Sequence, residues 1–352
     1  MSRSALHSAF GFRHWLLVFV LLLAPPTVAE QRSMTVDDVL AIERLERASL
    51  SPDGSLVAAV VLRGALPGEI FGRASYEIDP SRADIWIIDR ATGAKRNLTN
   101  GRSRAAGALC ATWSPDGQRL AFLSTRPTDA EPQGGNNVRL YVWDRHSDEL
   151  IRLSEQAVVT QTRYGGGLNK LDIAGPNAVS ADACSAGDEN PPFAWLDAQR
   201  LLVAFLPTGR TSALLDASER IYQHTQATRE AMQTGREAMV SVSGSGLERT
   251  GAGPEEIAIL AVGNVPNRQW TNVASVPLYP FNGSLGVRVS PDGRRAAVLA
   301  TTGSIPPRSG IPWARNDGDW TVEKRLGVID LVEPQPMKWV SPVSTNGTDL
   351  RL

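Results

Sequence analysis

Cysteine is scarce in this 352-residue sequence: Cys110 and Cys184 are the only two. Two thiols allow at most one intramolecular bridge, and only in an oxidising compartment; two buried unpaired thiols are the alternative, and spacing does not decide between them. Histidine is nearly as rare, with His7, His14, His146 and His224. Charge of one sign is missing too. A formal net charge of −1, with 42% hydrophobic residues, excludes both a disordered chain and a field that would attract nucleic acid. Of the 36 basic residues only Lys95, Lys170, Lys324 and Lys338 are lysine, to which no mechanism attaches. The one pronounced apolar run, Trp15 to Ala24, is about half of the ~20 residues that a spanning helix needs.

That run has a recognisable layout. Arg3, His7, Arg13 and His14 precede it, Pro25 and Pro26 break it, and Thr27, Val28 and Ala29 supply small residues where a signal peptidase cuts. The reading is a signal peptide over 1–29, with the mature chain starting at Glu30, in the periplasm or outside the cell and without a membrane contact after cleavage. An uncleaved membrane anchor is the competing reading. Thr35 to Arg47 then places Val36, Val39, Leu40, Ile42 and Leu45 on one face of a helix. Thr35 caps its start and Asp37 and Asp38 stand in its first turn, which predicts a docking helix within 30–47.

From residue 48 onward the pattern changes to short strands and turns, and one phrase returns. Leu50-Ser51-Pro52-Asp53-Gly54, Trp113-Ser114-Pro115-Asp116-Gly117 and Val289-Ser290-Pro291-Asp292-Gly293 each precede a strand. Proline presets φ at the first corner, aspartate bonds the amides ahead of it, and glycine tolerates positive φ. A degenerate copy, Trp195-Leu196-Asp197-Ala198-Gln199, lacks one turn residue. Second hairpins follow, clearest at Ala83 to Thr99 and Val138 to Leu153. Two hairpins make a four-stranded blade, and a blade buries its faces only against neighbouring blades. The fold class is therefore all-β, a partial β-propeller over 48–352 with blades at about 48–100, 108–155, 190–263 and 285–341. A helix-forming stretch at 212–239 reads as an insertion in the third blade, either packed on the rim or forming a lid. Tyr164 to Pro192, rich in Gly, Asn, Asp and Pro, reads as a long inter-blade loop of the kind that is often functional.

With those features in place, the chain resembles the prolyl oligopeptidase family of serine peptidases. The resemblance rests on the Thr-Val-Asp-Asp-Val-Leu opening, the Ser-Pro-Asp-Gly strands, and the Asp-Ile-Trp strand ending at Arg96-Asn97-Leu98-Thr99. Asp84 to Gly101, Asn137 to Arg145, Trp195-Leu196-Asp197 and Gly235-Arg236-Glu237-Ala238 are most similar to the lasso-peptide isopeptidases. The resemblance implies an N-terminal propeller that covers an α/β-hydrolase domain and admits lasso or short peptides. Ser-Pro-Asp-Gly repeats occur in TolB-type periplasmic propellers as well, and the alternatives are a stand-alone protein-binding propeller of that kind or a non-functional gene fragment.

A serine peptidase needs a nucleophile on a strained elbow, a histidine base and an orienting aspartate. No Gly-x-Ser-x-Gly occurs. Ser103 and Ser245 lack the flanking glycines and read as loop residues, while His146 falls in a hairpin turn and His224 on the insertion. Glu255-Glu256 reads as a solvated strand start. Asn316-Asp317-Gly318-Asp319 lacks the spacing of a calcium loop, and Gly165-Gly166-Gly167 follows no phosphate-cradle pattern. No catalytic residue, metal site or cofactor is assigned; the expectation is a chain that stops at Leu352 before a hydrolase domain and is inactive alone.

Overall fold

The computed structural model describes residues 32–64, 83–101, 107–129, 132, 137–159, 170–174, 192–210, 223–224, 226–236, 256–278, 284–305, 321–333 and 335–343. The proposed signal peptide lies outside them. The chain divides into a unit over Met1–Leu40 and a unit over Ala41–Leu352.

In the first unit the helix α1 spans Val36–Leu40. Thr35 Oγ1 accepts the Asp38 amide at 3.2 Å, and the Asp38 carboxylate accepts the Thr35 amide at 2.8 Å, which satisfies two donors at once. Arg32 pairs with Asp38 at 2.5 Å. The helix is shorter than the apolar spacing predicts. Residues 44–50 form a strand instead, because their backbone pairs with Leu56–Leu62, from Arg44↔Leu62 to Leu50↔Val57. Val36 and Val39, expected on a docking face, are exposed.

The described residues of the second unit form four sheets. Blade one contains β1 (Arg44–Leu50), β2 (Leu56–Leu62), β3 (Ala83–Asp89) and β4 (Lys95–Asn97); blade two contains β5 (Ala108–Trp113), β6 (Arg119–Ser124), β7 (Arg139–Asp144) and β8 (Glu149–Arg152). A lone strand, β9 (Lys170–Ala174), comes next in sequence. Blade three contains β10 (Phe193–Trp195), β11 (Arg200–Phe205), β12 (Glu256–Asn264) and β13 (Gln269–Leu278); blade four contains β14 (Ser284–Val289), β15 (Arg295–Ile305), β16 (Thr321–Asp330) and β17 (Lys338–Trp339). Within each blade the four strands run antiparallel in sequence order. The third blade reaches Leu278 and not 263: Gln269, Thr271 and Asn272 interrupt the apolar signal of β13, whose start is exposed.

Two assignments change in detail. The stretch read as loop between Tyr164 and Pro192 contains β9, which pairs in parallel with β14 of blade four. Of the predicted insertion at 212–239, residues 223–224 and 226–233 are helical and 234–236 form the turn that ends the helix, while the remainder lies outside the described residues.

Central strands are apolar without a break because both of their faces are covered. On β6, Leu120 and Phe122 join the cluster shared with blade one, while Ala121 and Leu123 join the cluster shared with blade three. On β7, Tyr141 and Trp143 take the first side and Leu140 and Val142 the second. On β11, Leu201, Val203 and Phe205 face blade two, and Leu202 and Ala204 face blade four. Among the described residues the core is thus three seams between consecutive blades. Among the described residues no strand pairs blade four with blade one, and the architecture is a partial β-propeller.

Candidate functional site: the loop end of the blade array

The repeated phrase builds its turn the same way three times. Gly54, Gly117 and Gly293 have φ of 69°, 68° and 66°. Asp53, Asp116 and Asp292 accept the amides of Ser55, Gln118 and Arg294 at 3.1, 3.1 and 3.0 Å. The serine contributes what the phrase alone does not reveal: Ser51, Ser114 and Ser290 Oγ donate to that aspartate and accept the amide five residues on, from Leu56, Arg119 and Arg295. In blade three the shorter turn keeps the device through Asp197, which accepts from Gln199 and Arg200, each at 2.8 Å.

These turns interlock between blades. Arg145 pairs with Asp53 at 2.8 Å, Arg96 pairs with Asp148 at 2.7 Å, and Arg119 donates to the Ala198 carbonyl at 3.0 Å. The Ser51 hydroxyl and the Arg145 guanidinium hold Asp53 well below the ordinary carboxylate range. Arg96, with the Trp143 indole, holds Asp148 at about 2. A Cβ on Gly117 would stand 3.3 Å from Pro52 Cδ, and one on Gly293 would stand 3.5 Å from the Leu196 carbonyl oxygen. The first-hairpin turns of neighbouring blades therefore meet at one end. Antiparallel pairing puts each second-hairpin turn (residues 90–94, 145–148, 265–268 and 331–337) at that end as well.

At the opposite end the second strands stop and the third strands begin, and the described residues 63–64, 125–129, 137–138 and 206–210 lie there. Compact turns close one end of the array, and the connections between second and third strands leave from the other. Side chains of a substrate-contacting surface are found on such loops, positioned by the rigid sheets below them.

Between blades one and two, the loop end carries a buried polar knot. Asp84, 1% exposed at the start of β3, accepts from Asn97 Nδ2 (3.1 Å), Thr99 Oγ1 (3.1 Å) and the Gly101 amide (2.9 Å), and lies 3.3 Å from Arg63 Nε. It anchors the connection leaving β4. Arg126 donates to the Thr99 carbonyl at 3.2 Å, and its guanidinium lies 5.3 Å from the Tyr141 ring centroid. Tyr141 stacks on Phe122 with ring centroids 5.8 Å apart, and burial pushes its phenol up. Arg152, the cross-strand partner of Tyr141, pairs with Glu155 at 2.5 Å. A half-buried guanidinium held over a ring is suited to a carboxylate or a peptide carbonyl. Sequence reading missed this group because Arg126, Tyr141 and Arg152 belong to three different segments; the alternation of β7 shows only that Tyr141 and Trp143 share a face.

Few of the residues weighed from sequence fall among the described ones. His146 is exposed at the compact-turn end, its amide bonded to Asp144 at 3.0 Å. His224 is exposed on the insertion helix. Ser103, Ser245, Glu255, Gly165 to Gly167 and Asn316 to Asp319 lie outside the described residues, and Glu256 opens β12. Cys110 is in a disulfide, on a β5 bulge between Leu109 and Thr112 where its φ is 59°. Cys184, the other cysteine, lies outside the described residues. Among the described residues no three metal-ligating side chains cluster.

No family model matches the chain. It is 29% identical over 125 residues to the uncharacterized peptidase YuxL of Bacillus subtilis (strain 168), a match that covers 36% of this chain and 16% of that protein. The acylaminoacyl peptidase of Pyrococcus horikoshii aligns with 88% of this chain and 34% of its own, at 12% identity and a TM-score of 0.38. The β-propeller domain of the Trilobed protease from Pyrococcus furiosus aligns with 86% of this chain and 58% of its own, at 12% identity and a TM-score of 0.36. TolB from Acinetobacter baumannii aligns at 11% identity and a TM-score of 0.33, covering 85% and 44%. The chain spans less than two thirds of each, and superpositions this loose add nothing to the sheets described above.

Proposed function

We propose that this chain is the substrate-gating, non-catalytic propeller of an exported serine peptidase or isopeptidase, with chemistry supplied by a hydrolase domain in the same or another polypeptide. The observation that carries the reading is the 125-residue match to a peptidase, on a chain in which every second strand ends, and every third strand begins, at the same end of a blade array. A ring of blades with loops at one mouth admits extended or threaded peptides and turns folded proteins away. The half-buried Arg126 at that end offers a group to hold a passing carboxylate or carbonyl. The substrate class is lasso peptides, opened at the amide that joins the N-terminal amine to an acidic side chain; this follows from the resemblance of Asp84–Gly101 and Asn137–Arg145 to lasso-peptide isopeptidases.

Incubating the exported chain with lasso and linear peptides, followed by mass spectrometry and a fluorophosphonate probe, tests the reading. Peptide binding without cleavage and without serine labelling is expected. Labelling of any serine in this chain would place catalysis in it and overturn the gating role; absence of peptide binding would overturn the peptide-handling role.

A further inference from the structure

Each blade begins with an edge strand. Among the described residues β1, β5 and β10 each pair with only one neighbouring strand, and each leaves a row of backbone N–H and C=O groups on its other side. These first strands are also where successive blades approach: β1 lies against β5, and Trp113 and Trp195 donate to carbonyls of the preceding blade's first strand. Blade four is different. Its first strand, β14, is covered by β9, in register from Ser284↔Lys170 to Arg288↔Ala174.

Three features set this added strand apart. It is parallel, whereas every pairing within the blades is antiparallel. It reaches blade four from the segment before blade three, so the whole third blade intervenes in sequence. It is five residues long, and among the described residues no strand lies beyond it. Ile173 is 1% exposed in the seam between blades three and four, opposite Val287 in the ladder. A short strand lent to an edge by a remote part of the chain has the form of a peptide adding to a sheet, where main-chain hydrogen bonds supply affinity and alternate side chains supply selectivity.

We infer that the edge of β14 which faces away from β15 is a docking edge for an extended peptide, and that β9 is the chain's own occupant of it. The incoming peptide runs parallel to β14 and places a branched aliphatic side chain where Ile173 sits. The identity of that peptide as substrate rests on the peptide-handling reading; the edge does not. The β9 strand lowers the apparent affinity by the fraction of time it covers the edge, so weakening it strengthens binding.

The experiment uses the whole chain with Ile173→Asp, and with Ile173→Ala in parallel to decide the matter where the aspartate variant does not fold. Hydrogen exchange should show the β14 amides of Leu285 to Val289 exchanging at least about tenfold faster, with β15 and β16 protected as before. A fluorescent peptide with the sequence of residues 168–176 should bind the variant at least about tenfold more tightly than it binds the unaltered chain. Unchanged β14 exchange in a folded variant, or a released edge that fails to bind the probe, overturns the inference. The probe is not a substrate and no peptidase is present, so this failure is separate from failure of the peptide-handling reading, which is judged by the lasso and linear peptides.

Discussion

Trp113 and Trp195 occupy the same place in the repeat, one at the end of β5 and one at the end of β10. Trp113 Nε1 donates to the Ser49 carbonyl at 3.2 Å, and Trp195 Nε1 donates to the Thr112 carbonyl at 3.1 Å. Ser49 and Thr112 each precede that repeat position in the previous blade, so the indoles form a chain from blade three to blade two to blade one. Blade four has Val289 there and cannot extend it. Trp113 is 3% exposed and meets Trp143 edge-on at 6.2 Å. Replacing it by phenylalanine keeps a ring but strands a carbonyl at the seam, at a cost of about 1–3 kcal/mol. Chemical denaturation of Trp113→Phe should show that loss in midpoint with an unchanged slope, while the conservative swap leaves the far-ultraviolet spectrum intact.

At the level of the turn, the compact end of the array is held by ion pairs between hairpins that are distant in sequence. Asp148 in the β7–β8 turn binds Arg96 of β4, and its carboxyl stands at about 2, below the ordinary carboxylate value of about 3.9. A folded value lower than the unfolded one makes the contribution complete above about pH 4 and removes it as pH falls through about 2. Asp148→Asn should therefore lower the melting temperature near neutral pH by on the order of 1–2 °C, since the pair is exposed. The gap between variant and parent should close between about pH 4 and pH 2, followed by calorimetry across that range. A gap that persists at pH 2 would assign the loss to packing of the Trp143 indole, which also donates to Asp148 at 2.9 Å.

For the molecule as a whole, three seams in place of one central core mean that each blade depends on its neighbours. Blades two and three are covered on both faces, whereas blades one and four each bury one face against another described blade. The export reading also belongs at this scale. Protein produced with residues 1–29 in place and recovered from the periplasm should begin at Glu30 by N-terminal sequencing; recovery of the intact terminus in the membrane fraction would favour an anchor.

The residues of the sequence determined the local grammar of this protein. Proline, aspartate and glycine at fixed spacing make the same turn wherever they occur, because their φ preferences and side-chain bonds act within five residues. The four blades were legible for that reason, as was the Thr35–Asp38 cap. Tertiary structure decided whatever depended on remote partners. Leu45 fits a helical face and Arg47 ends the stretch that carries it, yet both are strand because Val61 and Val60 pair with them. β13 has a polar start and is a strand through its ladder with β12. Lys170 to Ala174 reads as part of a loop and became a strand only because β14 had an unpaired edge to offer. Tyr141 and Arg152 meet through sheet register, and Arg126 reaches the Tyr141 ring from the residues that follow β6. Backbone hydrogen bonds between strands carry no sequence code of their own, so pairing across a hundred residues is settled by which edges remain exposed once the local hairpins have formed.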